Sequence, residues 1–340
     1  MTLPILTSLL FALFIASFFI RPRKELNGFG RDALVPLRGM LALVIVAHHC
    51  SQIVGKTEEV SILRFFQEAG TPAVALFFFM TGYGLCASLL KKGNDYIRGF
   101  LPKRLLSFWP EALLLTIAGL GLKFFVLHKS SDILLNDVVT GNPPLPYSWF
   151  IYAITYGYVA FFLAAKIASC RIKPTGYILT ALIIAYMLVV ANVFHWGAFW
   201  YYGIISIPIG YFFKAYESEI EHIISLKKGY LFATFLAMTA GSCLLPSPVD
   251  IYVGVITFVA LTYLVIRVIN YPPIFAQWLG IQCLNIYLIH GLFLVPIHSM
   301  FGDNSLILFV LTMIPTLVGA YILSRLRKYV TDKKKSIVTD

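Results

Sequence analysis

Long apolar segments recur along the whole chain, and they constrain its fold more than any other feature. We count eleven of roughly membrane-spanning length in the 340 residues. Within a bilayer, only helices and closed barrels satisfy all of their backbone polar groups. The segments lie at residues 3–20, 35–54, 71–90, 105–126, 147–168, 176–194, 198–214, 229–245, 249–269, 276–295 and 305–325. We therefore predict an all-α, polytopic membrane bundle of ten to eleven transmembrane helices.

The distribution of charge predicts how this bundle is oriented. Charged residues make up only 13% of the chain, whereas a soluble domain has about 25%. If the N-terminus is outside, 22 of the 27 lysines and arginines fall on the inner side and four on the outer side. Cytoplasmic loops carry such an excess, so we predict an outside N-terminus and a cytoplasmic C-terminus. The net charge of +11 then reflects orientation and anionic lipids, and we expect no nucleic-acid partner.

The segments also suggest a division of the chain into three parts. Residues 1–30 are predicted to form an extra N-terminal transmembrane helix and an inner loop, because the basic residues follow the apolar run and do not precede it. Residues 31–330 form the main membrane domain, and residues 331–340 form a basic cytoplasmic tail. The five cysteines show no paired spacing, so we interpret them as apolar filler and predict no metal site.

Two ionisable residues share one face of the second apolar segment. Arg38 and His49 are eleven residues apart, which at about 100° per residue is ~20° more than three helical turns. They are separated by roughly 16 Å of helical rise, and His48 lies about 80° away from their common face. Because an ionisable residue in hydrocarbon is costly, such residues indicate a functional site by default.

Further along the chain, polar residues fall at the same two depths. Lys103 and Arg104 are predicted to lie with Arg38 at the cytoplasmic surface, where a basic cluster suits a polyanionic ligand such as a nucleotide phosphate. His290 is predicted at the depth of His49, in the outer half. A histidine there suits general-base chemistry, because its pKa lies near working pH.

Other polar residues complete the predicted column. Tyr287 lies one turn below His290 with Asn285 nearby, Trp149 begins the fifth segment on the outer side, and Thr81 lies near the middle of the third. Each residue has a structural alternative. The basic residues can be orientation charges or helix anchors, the histidines can be hydrogen-bonded core residues, and the tryptophan can belong to an interface belt. Their common depth and face favour a site.

In this order, these residues resemble acyltransferase family 3, a family of integral-membrane acyltransferases of surface glycans. The matching motifs are Arg38 and His49 with ten residues between them, FFFMTGYGL with Thr81, the basic stretch KRLLSFWP, Trp149-Phe150, and NIYLIH with Tyr287 and His290. The family often has a second arginine in the basic stretch, where this chain has Ser107. Its usual ten spans suggest that residues 3–20 form the extra helix.

The resemblance implies transfer of an acyl group, usually acetyl from acetyl-CoA, to a hydroxyl of a cell-surface glycan or lipid-linked sugar. The acyl-CoA is a donor substrate, and no permanently bound cofactor is expected. Lys103 and Arg104 would bind the CoA phosphates, while Arg38 would guide the pantetheine arm. His49 would deprotonate the acceptor hydroxyl, which would attack the thioester. An acyl-histidine intermediate is the alternative to direct transfer.

The remaining predicted roles are supporting ones. His290 and Tyr287 are assigned to the catalytic group, and the predicted substrate-binding residues are Trp149, Thr81, Asn285 and His48. A transporter or flippase could use the same polar column, although we find no broken helices in matching positions of two halves. A catalytically inactive sensor or scaffold is a third possibility. The lack of an Asn-x-Ser/Thr sequon and the analogy with surface glycans favour a bacterial inner membrane.

Overall fold

The computed structural model describes residues 31–54, 63, 66–67, 69–242, 244–246, 248–268, 274–302 and 305–339. The regular elements within these ranges are helical, as the sequence predicts. A π-helical turn follows α5, and a 3₁₀ turn precedes α9. The helices are α1 Arg31–Val54, α2 Gly70–Lys92, α3 Asn94–Ile97, α4 Phe100–Leu105, α5 Trp109–Gly121, α6 Ser131–Val139, α7 Trp149–Ile167, α8 Ile172–Asn192, α9 Ser206–Ala215, α10 Glu217–Ser242, α11 Val249–Val268, α12 Ile274–Phe301 and α13 Ser305–Thr339.

Seven helices in this part of the chain are long and apolar enough to cross a membrane. Each coincides with a predicted segment, so the protein is a multi-pass membrane protein with a helical bundle. The spans are Ala33–Val54, Gly70–Lys92, Trp109–Val126, Trp149–Ile167, Ile172–Asn192, Phe275–Phe301 and Ile307–Tyr329.

Four of the eleven predicted segments are not among these seven spans. The segment at 3–20 lies outside the described residues, so it is not part of the comparison. The segment at 198–214 is broken into the 3₁₀ turn Ala198–Trp200 and the ten-residue α9, and ten residues rise only about 15 Å, half of a bilayer. The segment at 229–245 belongs to α10, which has non-helical dihedral angles at Lys227. The segment at 249–269 coincides with α11, a continuous helix over Val249–Val268 whose stretch Val249–Ala260 is apolar.

One half of the bundle is built where α1 crosses α12. Gly39 and Gly280 lie at the crossing, where a Cβ atom on Gly39 would meet the backbone of α12 and one on Gly280 would meet the carbonyl of Val35. Small residues allow such close approach of membrane helices. The helix α13 packs against both α12 and α1. Buried apolar residues such as Met40 and Leu279 fill the space between these helices.

The other half is built around α2 and the short helix α9. Gly82 faces the carbonyl of Ile207, and Gly210 faces the carbonyl of Phe79, so these two helices also meet backbone to backbone. Gly82 therefore permits close packing of these two helices. Gly84 differs, because no described atom lies within 4 Å of its Cβ position.

The C-terminal helix connects the two halves at one end of the bundle. Arg327 Nε lies 3.4 Å from Glu111 Oε1 of α5, so the two side chains form an ion pair. The Arg327 guanidinium also donates to the carbonyl of Ser107. The helix continues to Thr339, so the backbone of the predicted basic tail extends α13. The chain thus places an arginine of α13 beside Ser107.

Candidate active site

Two internal cavities lie between α1, α2, α7 and α12. The larger, about 890 Å³, is lined by His48, His49 and Trp149, and we call it the histidine cavity. The smaller, about 530 Å³, is lined by Arg38 and Arg104, and we call it the arginine cavity. The four helices contribute residues to both cavities, so the same framework positions the two groups.

The two cavities adjoin at Ile45 and Tyr287, which line both of them. Along α1, the arginine cavity is lined first and the histidine cavity later, and this order is reversed along the antiparallel α2. Arg38 and His49 therefore lie at opposite ends of a two-part chamber, separated by roughly 16 Å of helical rise. The arrangement agrees with the column predicted from their shared helix face.

His49 is held with one ring nitrogen free for chemistry. Its Nδ1 lies 3.1 Å from Oε1 of Gln52, one turn further along α1. Because an amide oxygen only accepts hydrogen bonds, Nδ1 carries the proton and Nε2 carries the lone pair. The residue is 8% exposed and lines the histidine cavity. This tautomer is the one that a general base acting through Nε2 requires.

The neighbouring histidines have the same tautomer. His48 Nδ1 donates to the carbonyl of Phe66 at 3.0 Å, and His290 Nδ1 donates to the carbonyl of Tyr287 at 2.6 Å. His290 is fully buried and lines neither cavity. It lies directly behind His49, with 5.2 Å between the ring centroids and 12° between the ring planes. The structure thus brings together the two histidines that the sequence placed at one depth.

Tyr147 completes this cluster of rings. Its ring centroid is 4.0 Å from that of His49 and 5.5 Å from that of His290. The residue has a φ of 63°, in the left-handed region that residues with a Cβ rarely adopt. Such a conformation persists only where the surrounding structure imposes it, and it is concentrated at functional sites. Burial raises the pKa of the Tyr147 phenol to about 12, so the ring stays neutral.

Tyr287 of α12 is hydrogen-bonded to the loop before α7, which contains Pro146 and Tyr147, and to the start of α7. Its hydroxyl donates to the carbonyl of Tyr147 and accepts from the backbone N–H of Phe150 at 3.3 Å. The close contact of Gly291 with Pro146 lets the loop lie against α12. The single hydroxyl proton of Tyr287 is donated to the carbonyl of Tyr147, so this hydroxyl cannot also donate to an oxyanion. Tyr287 instead orients this wall of the chamber.

Thr81 and Asn285 are also occupied by structural hydrogen bonds. Thr81 lines the arginine cavity, and its hydroxyl donates to the carbonyl of Phe77 at 2.9 Å. Asn285 lines neither cavity and donates to Gln282 at 3.2 Å and to the carbonyl of Ala320 at 3.3 Å. It therefore connects α12 to α13 and lies apart from the other predicted site residues.

The arginine cavity contains two of the three predicted basic residues. The Nε atom of Arg38 is buried and has no hydrogen-bond partner among the described residues. Arg104 donates to the hydroxyl of Tyr96 at 2.8 Å and lies 5.8 Å from the ring of Tyr158. Lys103 is exposed on α4 and lies outside the cavity lining. A buried unsatisfied guanidinium N–H is costly, so Arg38 is suited to receive an oxygen of a ligand.

Several residues of the chamber were not identified from the sequence. Gln52 orients His49, and the ring of Tyr147 packs against that of His49. Lys123, Lys129 and Asp137 line the histidine cavity. A glutamine one helical turn after a histidine is a signal that can be found in the sequence. The others lie between α5 and α7, in turns, loops and the short α6, and their positions depend on tertiary packing.

The fold and the chamber define a class of protein, a polytopic helical membrane protein with a basic group and a histidine group at opposite ends of an internal path. The family model described as an acyltransferase domain, that of acyltransferase family 3, matches residues 36–325. The chain belongs to this family and is a membrane acyltransferase, as its motifs predict. No curated protein and no solved structure matches it.

Proposed function

We propose that the protein transfers an acyl group, most simply acetyl, from acyl-CoA to a hydroxyl group of a cell-surface glycan or lipid-linked sugar. The observation that supports this best is the chamber itself. An arginine whose Nε atom has no hydrogen-bond partner among the described residues lies at one end, and a histidine with a free Nε2 lies at the other. The two cavities adjoin between them. A long, flexible donor with an anionic head and a reactive end fits such a path.

The arginine cavity is the proposed donor site. Arg38 and Arg104 offer guanidinium groups to oxygens of the donor, and Lys103, exposed on α4, is available to the phosphates outside the cavity. The excess of lysine and arginine on the corresponding loops supports a cytoplasmic location for this end, with the N-terminus outside. Bacterial inner membranes combine cytoplasmic acyl-CoA with surface glycans, which makes them the proposed location.

The histidine cavity is the proposed site of the chemistry. Nε2 of His49 removes the proton from the acceptor hydroxyl as the oxygen attacks the thioester carbonyl. The carbon–sulfur bond then breaks, and the departing CoA thiolate takes the proton back from the imidazolium. His290 and Tyr287 position His49 and the wall around it, while His48 and Trp149 line the space for the acceptor.

A thiol-release assay on the purified full-length protein tests this proposal. Acetyl-CoA is supplied with and without a panel of neutral and acidic oligosaccharides, and free CoA is measured over time. We expect release that depends on an acceptor. His49→Gln should lower kcat by about 10²–10⁴-fold, and Arg38→Gln should raise KM for acetyl-CoA. The matched control is His298→Gln, which changes a histidine of α12 outside both cavities.

Two results would overturn the proposal. One is the absence of thiol release with every acceptor by a protein that remains folded in its thermal unfolding profile. The other is full activity of His49→Gln, which would remove the base from the mechanism. A covalent acyl-histidine would instead appear as a burst of CoA, equal to the enzyme concentration, without acceptor.

A further inference from the structure

The wall of the histidine cavity contains a charged group that the proposed chemistry does not use. Lys123 and Lys129 both contact Oδ2 of Asp137, at 3.2 and 3.1 Å. All three residues line the cavity, together with His49. These three residues connect the end of α5 to α6. We refer to Lys123 and Lys129 as the lysine pair.

Local structure explains how the lysine pair comes to face the cavity. The chain passes from α5 into the π-helical turn Leu122–Val126, where Lys123 lies. A π-helical turn adds a residue to the usual helical period and rotates the following side chains, and such turns are frequent at functional sites. Lys129 then follows a residue with positive φ, His128 at 50°. Asp137 lies on α6, the short helix that follows this turn.

The charges of this group do not balance. A buried lysine needs an anionic partner. Lys123 is only 8% exposed, and Asp137 is its partner. Lys129 makes its contact with the same carboxylate oxygen, so two positive charges share one negative charge. Asp137 is the one acidic residue among the described residues that line the cavity. The described residues of the wall therefore carry a net charge of about +1 beside the proposed reaction site.

The lysine pair also has hydrogen-bond donors to spare. Each ammonium group has three N–H donors. In the described contacts, Lys123 uses two of them, on Asp137 and on the carbonyl of Pro143 at 3.2 Å, and Lys129 uses one, on Asp137. Three donors thus remain in the pair. A lysine needed only to hold α6 in place would not require a second cation on the same oxygen.

We propose that the histidine cavity binds an anionic acceptor, a sugar that carries a carboxylate or a phosphate group, with this group on the lysine pair and a hydroxyl at His49. The inference rests on the proposed function, of which it names the acceptor class. The polar side chains of Gln67, Thr71 and Asn142 line the same cavity and suit sugar hydroxyl groups. Trp149 and Tyr147 provide flat surfaces for the ring.

Ligand pairs that differ only in charge test this inference. The full-length protein in detergent is titrated with methyl glucuronide against methyl glucoside, methyl galacturonide against methyl galactoside, and a sugar phosphate against the free sugar. Binding is followed by tryptophan fluorescence, to which Trp149 in the cavity contributes. We expect at least one anionic member to bind about tenfold tighter than its neutral partner. The preference should weaken at high salt.

Substitution of the more exposed lysine separates binding from a structural role. Lys129→Gln should abolish most of the preference for the anionic ligand, since one charge is lost while Lys123 still holds Asp137. Lys129→Arg should retain it. Lys166→Gln, which removes a lysine at the end of α7 outside both cavities, is the matched control. Thermal unfolding of each variant reports on folding.

The outcomes distinguish this inference from the proposed function. The inference is overturned if, in all three pairs, the anionic and neutral ligands bind equally or do not bind. It is also overturned if Lys129→Gln still prefers the anionic ligand. A large effect of Lys129→Gln on acetyl-CoA binding also overturns it, because the pair would then serve the donor. Acceptor-dependent thiol release in any of these cases leaves the acyltransferase function intact, whereas its absence defeats that function separately.

Discussion

The imidazole rings of His49 and His290 lie nearly parallel, 5.2 Å apart between centroids and 12° between planes. His290 is fully buried behind His49 and donates through Nδ1 to the carbonyl of Tyr287. Because His290 does not line either cavity, we expect it to act by holding the His49 ring against displacement. Small displacements of a catalytic group cost about 10²-fold in rate.

Substitutions of His290 should therefore reveal a positioning role. His290→Ala is expected to lower kcat by about 10²-fold, because His49 loses the ring on which it stacks. His290→Phe keeps an aromatic surface there and should retain more activity than the alanine variant. Steady-state kinetics on both proteins provides the measurement. Equal losses in the two variants would indicate that the imidazole itself takes part in the chemistry.

Gln52 should control the tautomer of His49. Gln52→Leu removes the oxygen that accepts the Nδ1 proton, and we expect kcat to fall by about tenfold with little change in KM. Gln52→Glu keeps an acceptor at that position and should restore most of the rate. A comparison of kcat and KM for the two variants checks this. If leucine and glutamate behave alike, the contact does not set the tautomer.

Tyr287→Phe should affect stability as well as activity. The loss of one hydroxyl leaves the carbonyl of Tyr147 and the N–H of Phe150 without their partner. We expect a loss of about 1–3 kcal/mol in the free energy of unfolding, with reduced kcat because the histidine cavity loosens. Tyr156→Phe is the matched control, since its hydroxyl donates to the carbonyl of Leu182 away from both cavities. It should lower Tm without a comparable loss of kcat.

Substitution by alanine should lower the stability of the protein at one of two nearby glycines and leave it unchanged at the other. Gly82→Ala places a methyl group against the carbonyl of Ile207 and should destabilise the protein by about 1–3 kcal/mol. Gly84→Ala adds the methyl group to open space in the arginine cavity. It should leave Tm unchanged and raise KM for the acyl donor. Thermal unfolding and donor titration distinguish these outcomes, and similar Tm values for the two variants would contradict the helix contact.

The ion pairs of Asp137 should give the protein an acid-sensitive element. Burial acts to raise the pKa of Asp137, but the hydrogen bonds from Lys129 and Lys123 outweigh it and hold this pKa below the ordinary 3.8. A carboxyl group with a lowered pKa stabilises the folded state above its unfolded pKa, and this stabilisation is lost as pH falls through the folded value.

Asp137→Asn tests this dependence. The wild-type protein should have the higher Tm between pH 5 and 7, since the carboxylate is fully ionised there. The difference should shrink once the pH falls below the ordinary value of 3.8, as the wild-type carboxyl group takes up its proton. A difference that stays constant or grows in acid would show that the ion pairs are not its cause.

Much of the bundle could be predicted because hydrophobicity and helical period are local properties of a sequence. The seven described spans coincide with predicted segments, and the shared face of Arg38 and His49 follows from their spacing. The prediction was weaker at residues 198–214, where apolar composition did not reveal that α9 is a short, buried helix against α2. Apolar composition does not distinguish a helix that lies in lipid from one that is buried in protein.

By itself, the sequence determined the helical membrane class, the family, and the two groups of polar residues along the chain. Only the tertiary structure decided that Gln52 orients His49, that Tyr287 lines both adjoining cavities, and that Lys129 shares Asp137 with Lys123. The physical reason is that these relationships depend on which side chains meet when helices and loops distant in sequence pack together. Local hydropathy contains no information about these long-range contacts.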